Sequence, residues 1–274
     1  MTDPGDKEVV PGPGASIYTF DASEFPWWLV GILTIIAAMV AAIVFTDAYR
    51  EAFDAILPLP ASFTQGLALT LYLTVGSFVV ATALGLFIGL ARLSRNTFIR
   101  NLAATYIEFV RGIPVIVFIF LVALVFTPDF ADLVNMETRS IPQGIRASAA
   151  LSLFYAAFIA EVFRAGIQSV PTTQTEAGRS IGLSERQITR KVVLPQAVRN
   201  MLPALGNDLI SLMKDTSLVS ILAVREITQM ARLYSGSSFR FRESFFILVV
   251  IYVVLTLGLS LLLRWYERRI AIPR

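Results

Sequence analysis

Two pairs of opposite charges lie in otherwise apolar parts of the chain. Glu108 and Arg111 are three residues apart, as are Glu161 and Arg164, so the members of each pair can share one face of a helix. Opposite charges placed in this way can form ion pairs that brace neighbouring helices, and they can equally bind a charged solute. The sequence leaves both alternatives open: an ion-pair network that braces helices, or contact with a charged ligand.

Lys214 and Asp215 form a third charged position, followed by the polar residues Thr216 and Ser217. A charge at the centre of a bilayer costs roughly 2.5–3.5 kcal/mol on insertion scales, so it normally faces a bundle interior, a cavity or a counter-charge. Adjacent residues point about 100° apart on a helix, so each of the two can face a different partner. We expect at least one of them to contact a polar ligand.

The residue types that are missing exclude several kinds of chemistry. The sequence has no cysteine and no histidine, so thiol nucleophiles, Ser-His catalysis and the usual His and Cys zinc sites are unavailable. It has no Gly-Lys pair, which the phosphate-binding loop of nucleotide-hydrolysing proteins requires. We therefore expect no catalytic residue, no metal and no cofactor in this chain. Energy must come from a partner or from an ion gradient.

The elements that carry these charges are predicted to be membrane-spanning helices. Hydrophobic residues make up 55% of the 274 residues and charged residues only 16%. Three stretches carry no charge and three more are apolar but interrupted: 25–46, 55–91 and 244–263, then 102–127, 147–168 and 203–224. Each is long enough to cross about 30 Å of hydrocarbon. The predicted fold class is all-α, a polytopic membrane protein with about six transmembrane helices.

The distribution of Lys and Arg predicts the orientation of these helices. Connections between successive spans must alternate between the two sides of the membrane. One set, at 92–101, 169–202 and 264–274, contains twelve basic residues. The other set, at 47–62, 128–146 and 225–243, contains seven. Basic connections stay in the cytoplasm, so the first set and both termini are predicted to be cytoplasmic. Residues 1–24, with three prolines and three glycines, are predicted to be a disordered cytoplasmic tail, and residues 266–274 a second cytoplasmic tail.

The longest basic connection is predicted to contain two short helices. Thr173 and Glu176 have the spacing of a capping box that starts the first helix, and Gly182 is suited to end it. Ser184 and Gln187 form a second capping box, which opens a helix that Pro195 interrupts.

A spaced pattern runs through this connection, formed by Glu176, Ala177, Gly178, Gly182, Val192, Leu194 and Pro195. It resembles the EAA loop of the membrane subunits of bacterial ABC importers, E-A-A-x3-G-x9-I-x-L-P. Gly178 replaces an alanine of that pattern and Val192 replaces an isoleucine. The resemblance implies that the loop at 173–195 couples the chain to a separate ATPase, with the first short helix as the coupling helix.

Three other segments resemble the permeases of polar amino-acid importers of the histidine, glutamine and glutamate type. They are Glu108 to Pro114, Ala160 to Ile167, and Leu212 to Leu218. The resemblance covers about residues 63–265 and implies the transmembrane domain of an ABC importer with a five-helix core. Residues 25–62 then add one N-terminal transmembrane helix and an external loop.

Such a permease implies a set of partners. These are two ATP-binding cassette ATPase subunits that bind ATP and Mg, a second permease, identical or related, and an extracytoplasmic binding protein that delivers a polar amino acid. The resemblance also places the chain in the bacterial cytoplasmic (inner) membrane, among lipid. Small residues between 63 and 91, among them Gly66, Gly76, Gly85 and Gly89, predict close helix packing, and contact with the second permease is one place for it.

An amino-acid substrate gives the buried charges a specific role. A zwitterion needs an anionic partner for its ammonium group and a cation or helix N-terminus for its carboxylate. Lys214 and Asp215, with Glu108 or Glu161, are therefore the candidates for the substrate pathway. The two arginines three residues after those glutamates, Arg111 and Arg164, are candidates for the gate or ion-pair network.

Other classes of function are distinguished by simple features. A stand-alone secondary amino-acid transporter, driven by an ion gradient, would show inverted repeats, and we find no convincing repeat. Residues 182–199 superficially resemble a DNA-reading helix-turn-helix, but their ends are tied closely to membrane spans, so no nucleic-acid partner is expected. A membrane enzyme would have only carboxylates, Lys and Ser or Thr from which to build a catalytic site.

Overall fold

The computed structural model describes residues 27–56 and 65–270, and within those ranges the chain is helical with short connections. The predicted all-α class is confirmed for this part of the chain. The tail predicted at 1–24 lies outside the described residues. Of the tail predicted at 266–274, the residues as far as Ile270 are helical.

Twelve α-helices lie in the described ranges. In chain order they are α1 Trp27–Phe45, α2 Asp47–Ile56, α3 Gly66–Arg92, α4 Thr97–Arg111, α5 Val115–Phe120, α6 Thr127–Leu133, α7 Gln143–Gln168, α8 Thr172–Ser180, α9 Glu185–Ile188, α10 Leu194–Asp215, α11 Ile227–Ser238 and α12 Phe241–Ile270. Wider π-helical turns link α5 to α6 and α9 to α10, at Leu121–Phe126 and Thr189–Val193. Tighter 3-10 turns occupy Thr138–Ser140 and Thr216–Leu222.

Four of the described helical stretches are long and apolar enough to cross a membrane, namely 66–92, 115–133, 143–168 and 241–267. A fifth is added if 29–45 and α2 are counted as one broken span, bent by 98°. The predicted count of six is not confirmed. The missing member is the stretch at 203–224, where Asp208, Lys214 and Asp215 lower the hydropathy of α10.

The span predicted at 102–127 has the wrong bounds. The chain breaks after α4, where Gly112 caps that helix, and Pro114 caps the start of α5. Proline lacks a backbone N–H and disfavours helical geometry in the residue before it, so Ile113 cannot continue the helix. The apolar stretch therefore begins at Val115 and runs to Leu133, into the connection that was predicted to be external.

Helix α7 lies at the centre of the molecule, and α3 crosses it closely. A Cβ atom on Gly89 would lie 2.7 Å from the carbonyl oxygen of Ala160, and one on Gly85 would lie 2.7 Å from Cγ2 of Ile159. Only glycine permits this approach, so the predicted close packing is confirmed within the chain. Gly85 and Gly89 pack against α7, so they are not available for the other predicted contact, that with a second permease. By contrast, a Cβ on Gly76 would meet nothing within 4 Å.

Helix α2 closes one end of the bundle. Its Ala52 and Ile56 are buried against α11 and α12. Glu51 accepts a hydrogen bond from Arg240 at 2.6 Å, and the ring of Tyr49 lies 5.0 Å from that of Phe246. The start of α3 lies at this same end, since Gly66 packs on α11.

The opposite end of the bundle contains the long connection between α7 and α10. Near this end Gly166 of α7 meets Met201 of α10, and Gly206 of α10 meets Leu263 of α12. Thus α8 lies at the far end of the molecule from α2. The connections at 169–202 and 225–243, which the basic residues predicted to lie on opposite sides, are thus found at opposite ends.

Candidate functional site

Helix α8 begins differently from the prediction. Its N-cap is Pro171, and neither Thr173 nor Glu176 makes the side-chain bonds of a capping box. Proline is suited to the start of a helix because its φ is already set and its missing N–H is not needed there. The predicted capping box is therefore wrong, whereas the helix itself is present.

The end of α8 is the turn that Gly182 was predicted to make. Gly182 has a φ of +80°, which residues with a Cβ rarely adopt. The N–H of Leu183 donates to the carbonyl of Gly178 at 3.0 Å, and the N–H of Gly182 donates to that of Arg179 at 2.9 Å. This pair of bonds is the Schellman motif, which satisfies the last carbonyls of the helix and fixes the direction of the next segment.

Gly178 is buried where α8 folds back on α9. A Cβ atom on Gly178 would lie 3.0 Å from Cγ1 of Ile188, closer than ordinary packing allows without adjustment. The departure from the alanine of the EAA pattern therefore has a local reason, because the bulky Ile188 occupies the space of the missing methyl group. The contact joins α8 to the helix that leads into α10.

The other face of α8 is open. Glu176 and Ala177 are exposed, and the side chain of Ile181 is 76% exposed. Beside this face Arg179 and Glu185 form an exposed ion pair at 2.6 Å, whose guanidinium lowers the pKa of the Glu185 carboxyl. An apolar side chain at the tip of a short, capped helix is suited to contact another protein.

Helix α9 starts at the predicted capping box. The N–H of Ser184 donates to Oε1 of Gln187 at 2.9 Å, and the N–H of Gln187 donates to Oγ of Ser184 at 3.4 Å. Pro195 interrupts the hydrogen-bond pattern without ending the helix, because a π-helical turn at Thr189–Val193 precedes it. Nε2 of Gln196 donates to the carbonyl of Val192 at 2.9 Å and satisfies it.

The six predicted coupling residues thus fall into two groups. Glu176, Ala177, Gly178 and Gly182 belong to α8 and its cap, whereas Leu194 and Pro195 form the exposed first turn of α10. The π-helical turn connects the two groups and packs against α8. Residues 172–195, here called the α8 unit, are therefore a small folded unit rather than an extended connection.

A cavity of about 410 Å³ opens between α4, α7 and α10 near the same end. Its polar lining consists of Arg111, Glu161, Ser169, Asn200 and Asp208, with Phe158 and Gly166 among its apolar walls. Because α7 leads directly into α8 and α10 follows it, both of these walls are attached to the α8 unit.

The predicted ion pairs form in one case and not in the other. Nε of Arg164 donates to both carboxylate oxygens of Glu161, each at 3.0 Å. Arg111 instead turns toward α7, with its guanidinium carbon 5.6 Å from the ring centroid of Phe158. Glu108 is exposed on α4 and makes no ion pair with a described residue. The packing of α4 against α7 therefore brings Arg111 and Glu161 to one cavity, whereas Glu108 does not line it.

Lys214 and Asp215 point to different places. The hydroxyl of Tyr155 on α7 donates to the carboxylate of Asp215 at 2.7 Å, in the interior of the bundle. Lys214 is exposed and lines a separate cavity of about 300 Å³ between α1, α10 and α12, beside Ser260. The structure therefore does not support one substrate molecule contacting both Lys214 and Asp215. Lys214 also does not contact Glu161.

Two residues of the bundle interior were missed from the sequence. Asp208 has one carboxylate oxygen that is buried without a hydrogen-bond partner among the described residues. Tyr155 on α7 donates its hydroxyl hydrogen to Asp215, which follows Asp208 on the same helix. The spacing of seven residues between the two aspartates, which places them on one helix face, could have indicated Asp208. Tyr155 gave no comparable signal.

Comparisons with known proteins agree with this architecture. Residues 81–272 match the family described as binding-protein-dependent transport system inner membrane component. The chain is 34% identical over 209 residues to the probable amino-acid permease protein YxeN of Bacillus subtilis, which covers 76% of this chain and 91% of the relative. It is 33% identical over 220 residues to the glutamine transport system permease protein GlnP of Escherichia coli, covering 80% and 98%.

A solved structure described as an amino acid ABC transporter with histidines has the same fold. It superposes with a TM-score of 0.67 at 32% identity and covers 84% of this chain and 98% of that one. The resemblance that the spaced motifs predicted is confirmed. The chain belongs to the family of inner-membrane components of binding-protein-dependent transport systems.

Proposed function

We propose that this chain is the transmembrane permease subunit of an ATP-driven importer of polar or charged amino acids. Relatives at 33–34% identity are described as an amino-acid permease and a glutamine permease, and this supports the proposal over a stand-alone secondary transporter. Its apolar helices and its family make it a multi-pass inner-membrane protein. The observation that carries the proposal is the attachment of the exposed α8 unit to both α7 and α10, the helices that line the cavity.

The α8 unit is the proposed docking site for the ATPase. Glu176, Ala177 and Ile181 form the exposed contact face, and Gly178 and Gly182 fix its shape. ATP and Mg are bound by the partner, one ATPase on each of two permeases. The second permease is a copy of this chain or a related one.

Movement of α8 would reach the cavity along a short path. Gly178 packs on Ile188 and Arg179 pairs with Glu185, so α8 carries α9 with it. The chain continues through the π-helical turn, Leu194 and Pro195 into α10. Displacement of α10 against α7 changes the width of the cavity, which is the kind of rigid-body step that opens and closes a transport path.

The proposed substrate pathway follows the polar residues between α7 and α10. Asp215 and Glu161 keep their predicted place in it, and Asp208 joins them through its unpaired carboxylate oxygen. Arg111 supplies a cation for the substrate carboxylate, and the Glu161–Arg164 pair braces the inner end. Lys214 and Glu108 face other surroundings, so we leave them out of the pathway.

A soluble binding protein would deliver the amino acid to the end of the molecule opposite α8. The connection from α6 to α7 and the segment around α11 are the surfaces proposed to receive it. This partner is extracytoplasmic if α8 is cytoplasmic, as the basic residues predict.

The proposal is tested by reconstituting the chain with its ATPase and binding protein in vesicles. ATP inside and amino acid with binding protein outside should give uptake, whereas an ion gradient without ATP should give none. Uptake driven by an ion gradient alone, with no ATPase bound to the purified chain, would support the secondary transporter instead.

A further inference from the structure

An apolar groove of about 540 Å³ lies between α1, α2, α3 and α12. Its floor includes Ile43, Leu67 and Ile251, which are buried, and its open side includes Val254, which is 48% exposed. The groove is continuous with the exposed apolar surface of α1 and α12, which faces lipid if these helices span the membrane. It is separate from the cavity between α7 and α10.

Among the described residues that line the groove, only Arg50 and Asp54 are charged. They are four residues apart on α2, so they share one face of that helix. Helix α2 is amphipathic and bent by 98° from α1, so it would lie along the boundary of the membrane if α1 crosses it. The two charges therefore lie at the polar mouth of a groove whose remaining lining is almost entirely apolar.

The two side chains do not neutralise each other. The described ion pairs are Arg164–Glu161, Arg179–Glu185 and Arg240–Glu51, and neither Arg50 nor Asp54 takes part in them. Arg50 donates to the carbonyl of Val44 at the end of α1, which holds its guanidinium at the mouth. The carboxylate of Asp54 accepts no hydrogen bond from a described residue, so it can bind a cationic donor.

A membrane phospholipid with a primary ammonium headgroup has the matching chemistry. Its acyl chain is apolar, its phosphate is an anion for Arg50, and its ammonium group donates three hydrogen bonds, one of them available to Asp54. A quaternary ammonium headgroup has no N–H to donate, and a glycerol headgroup has no positive charge. We propose that the groove binds one phospholipid of the primary ammonium type, with a chain along α12 and its headgroup between Arg50 and Asp54.

The experiment uses the full chain purified with its ATPase partner, stripped of lipid in detergent. Palmitoyl-oleoyl phosphatidylethanolamine is titrated in, and bound copies are counted by native mass spectrometry. Val254→Trp fills the groove from its open side. Val249→Trp is the matched control, because Val249 is 52% exposed on the same helix and does not line the groove.

Val254→Trp is expected to raise the half-saturating lipid concentration about fivefold relative to Val249→Trp, because it excludes the acyl chain. Equal binding to the two variants would overturn the proposal. So would a dimer of chains that dissociates only in Val254→Trp, since the groove would then bind a second copy.

The headgroup is tested by two variants that leave the groove open. The unmodified chain should bind phosphatidylethanolamine more tightly than the phosphatidylcholine or phosphatidylglycerol of the same acyl composition. Asp54→Asn should remove this preference, and Arg50→Gln should weaken binding of all three lipids. An unchanged preference in Asp54→Asn would contradict the assignment, whatever the effect of Val254→Trp.

Discussion

At the scale of single residues, two glycines of the α8 unit are required for different physical reasons. Gly178 is required for space, because Ile188 occupies the position of a side chain. Gly182 is required for conformation, because its φ is +80° while a Cβ there would meet nothing within 4 Å. Substitutions at the two positions therefore test different properties of the same turn.

Gly182→Asp should insert into the membrane normally and abolish substrate-stimulated ATP hydrolysis by the assembled complex. Asp tolerates a positive φ better than most residues, so the turn persists while a charge is placed at the docking face. ATP hydrolysis in reconstituted vesicles measures the effect. Gly182→Asn is the control, since it has nearly the same shape without the charge and should retain most of the coupling.

Asp215→Asn should lower uptake by about tenfold or more, because a hydrogen bond to a charged group contributes roughly 1.5–3 kcal/mol. Lys214→Ala, one residue away, should leave uptake within about twofold, because Lys214 faces the cavity beside α1 and α12. Initial rates of labelled amino-acid uptake at equal protein in the membrane distinguish the two. A loss of uptake in Lys214→Ala with none in Asp215→Asn would reverse the proposed pathway.

At the scale of helices, the crossing of α3 and α7 holds the bundle together. Gly85 and Gly89 let the two backbones approach, and Ser77 is hydrogen-bonded to Ser148 at 2.9 Å near the start of α7. Close contacts between small residues and interhelical hydrogen bonds are the main sources of helix association in lipid. This crossing also fixes the position of α7, on which the cavity and α8 depend.

Gly89→Ala should destabilise the protein, whereas Gly76→Ala should not. The added Cβ at Gly89 would lie 2.7 Å from a backbone oxygen of α7, which cannot move without displacing the helix. Overpacking of this kind costs typically about 1–3 kcal/mol. At Gly76 the space is open, so helix propensity alone should stabilise the helix by roughly 0.5–1 kcal/mol. Thermal unfolding in detergent tests this: the unfolding temperature should fall in Gly89→Ala and should stay equal or rise in Gly76→Ala.

At the scale of the whole molecule, the fold separates two working ends. One end contains α8 and the start of α10, and the other contains α2 and the segment that joins α11 to α12. A long apolar helix, α12, connects the two ends, and its residue Leu263 lies close to Gly206 of α10. The proposed coupling to an ATPase and the proposed reception of substrate would thereby lie on opposite surfaces.

The orientation of these ends can be measured without a background signal, because the sequence has no cysteine. Ser180→Cys on α8 and Ser237→Cys on α11 are matched, near-isosteric changes at exposed positions. An impermeant maleimide added to intact cells should label position 237 only, and position 180 should react after the membrane is opened. Labelling of position 180 from outside would contradict the predicted topology.

Local patterns were enough to predict much of this molecule. The uncharged stretches predicted helices, the spacing from Glu176 to Pro195 predicted the α8 unit, and Gly182 predicted its end. Each of these features depends on neighbouring residues or on a fixed local geometry, which a sequence records directly. Close packing of α3 was likewise predicted, because glycine at regular spacing has few other uses in a membrane helix.

Tertiary structure alone decided which groups meet. The rotation of α10 about its axis directs Asp215 to Tyr155 and Lys214 to α12, and the break at Gly112 separates α4, with Glu108, from the apolar helix that follows. Arg111 lies over the ring of Phe158 and lines the same cavity as Glu161, because α4 ends beside α7. Such choices depend on how whole helices pack against each other. Residues distant in sequence set that packing, so no local pattern could have predicted them.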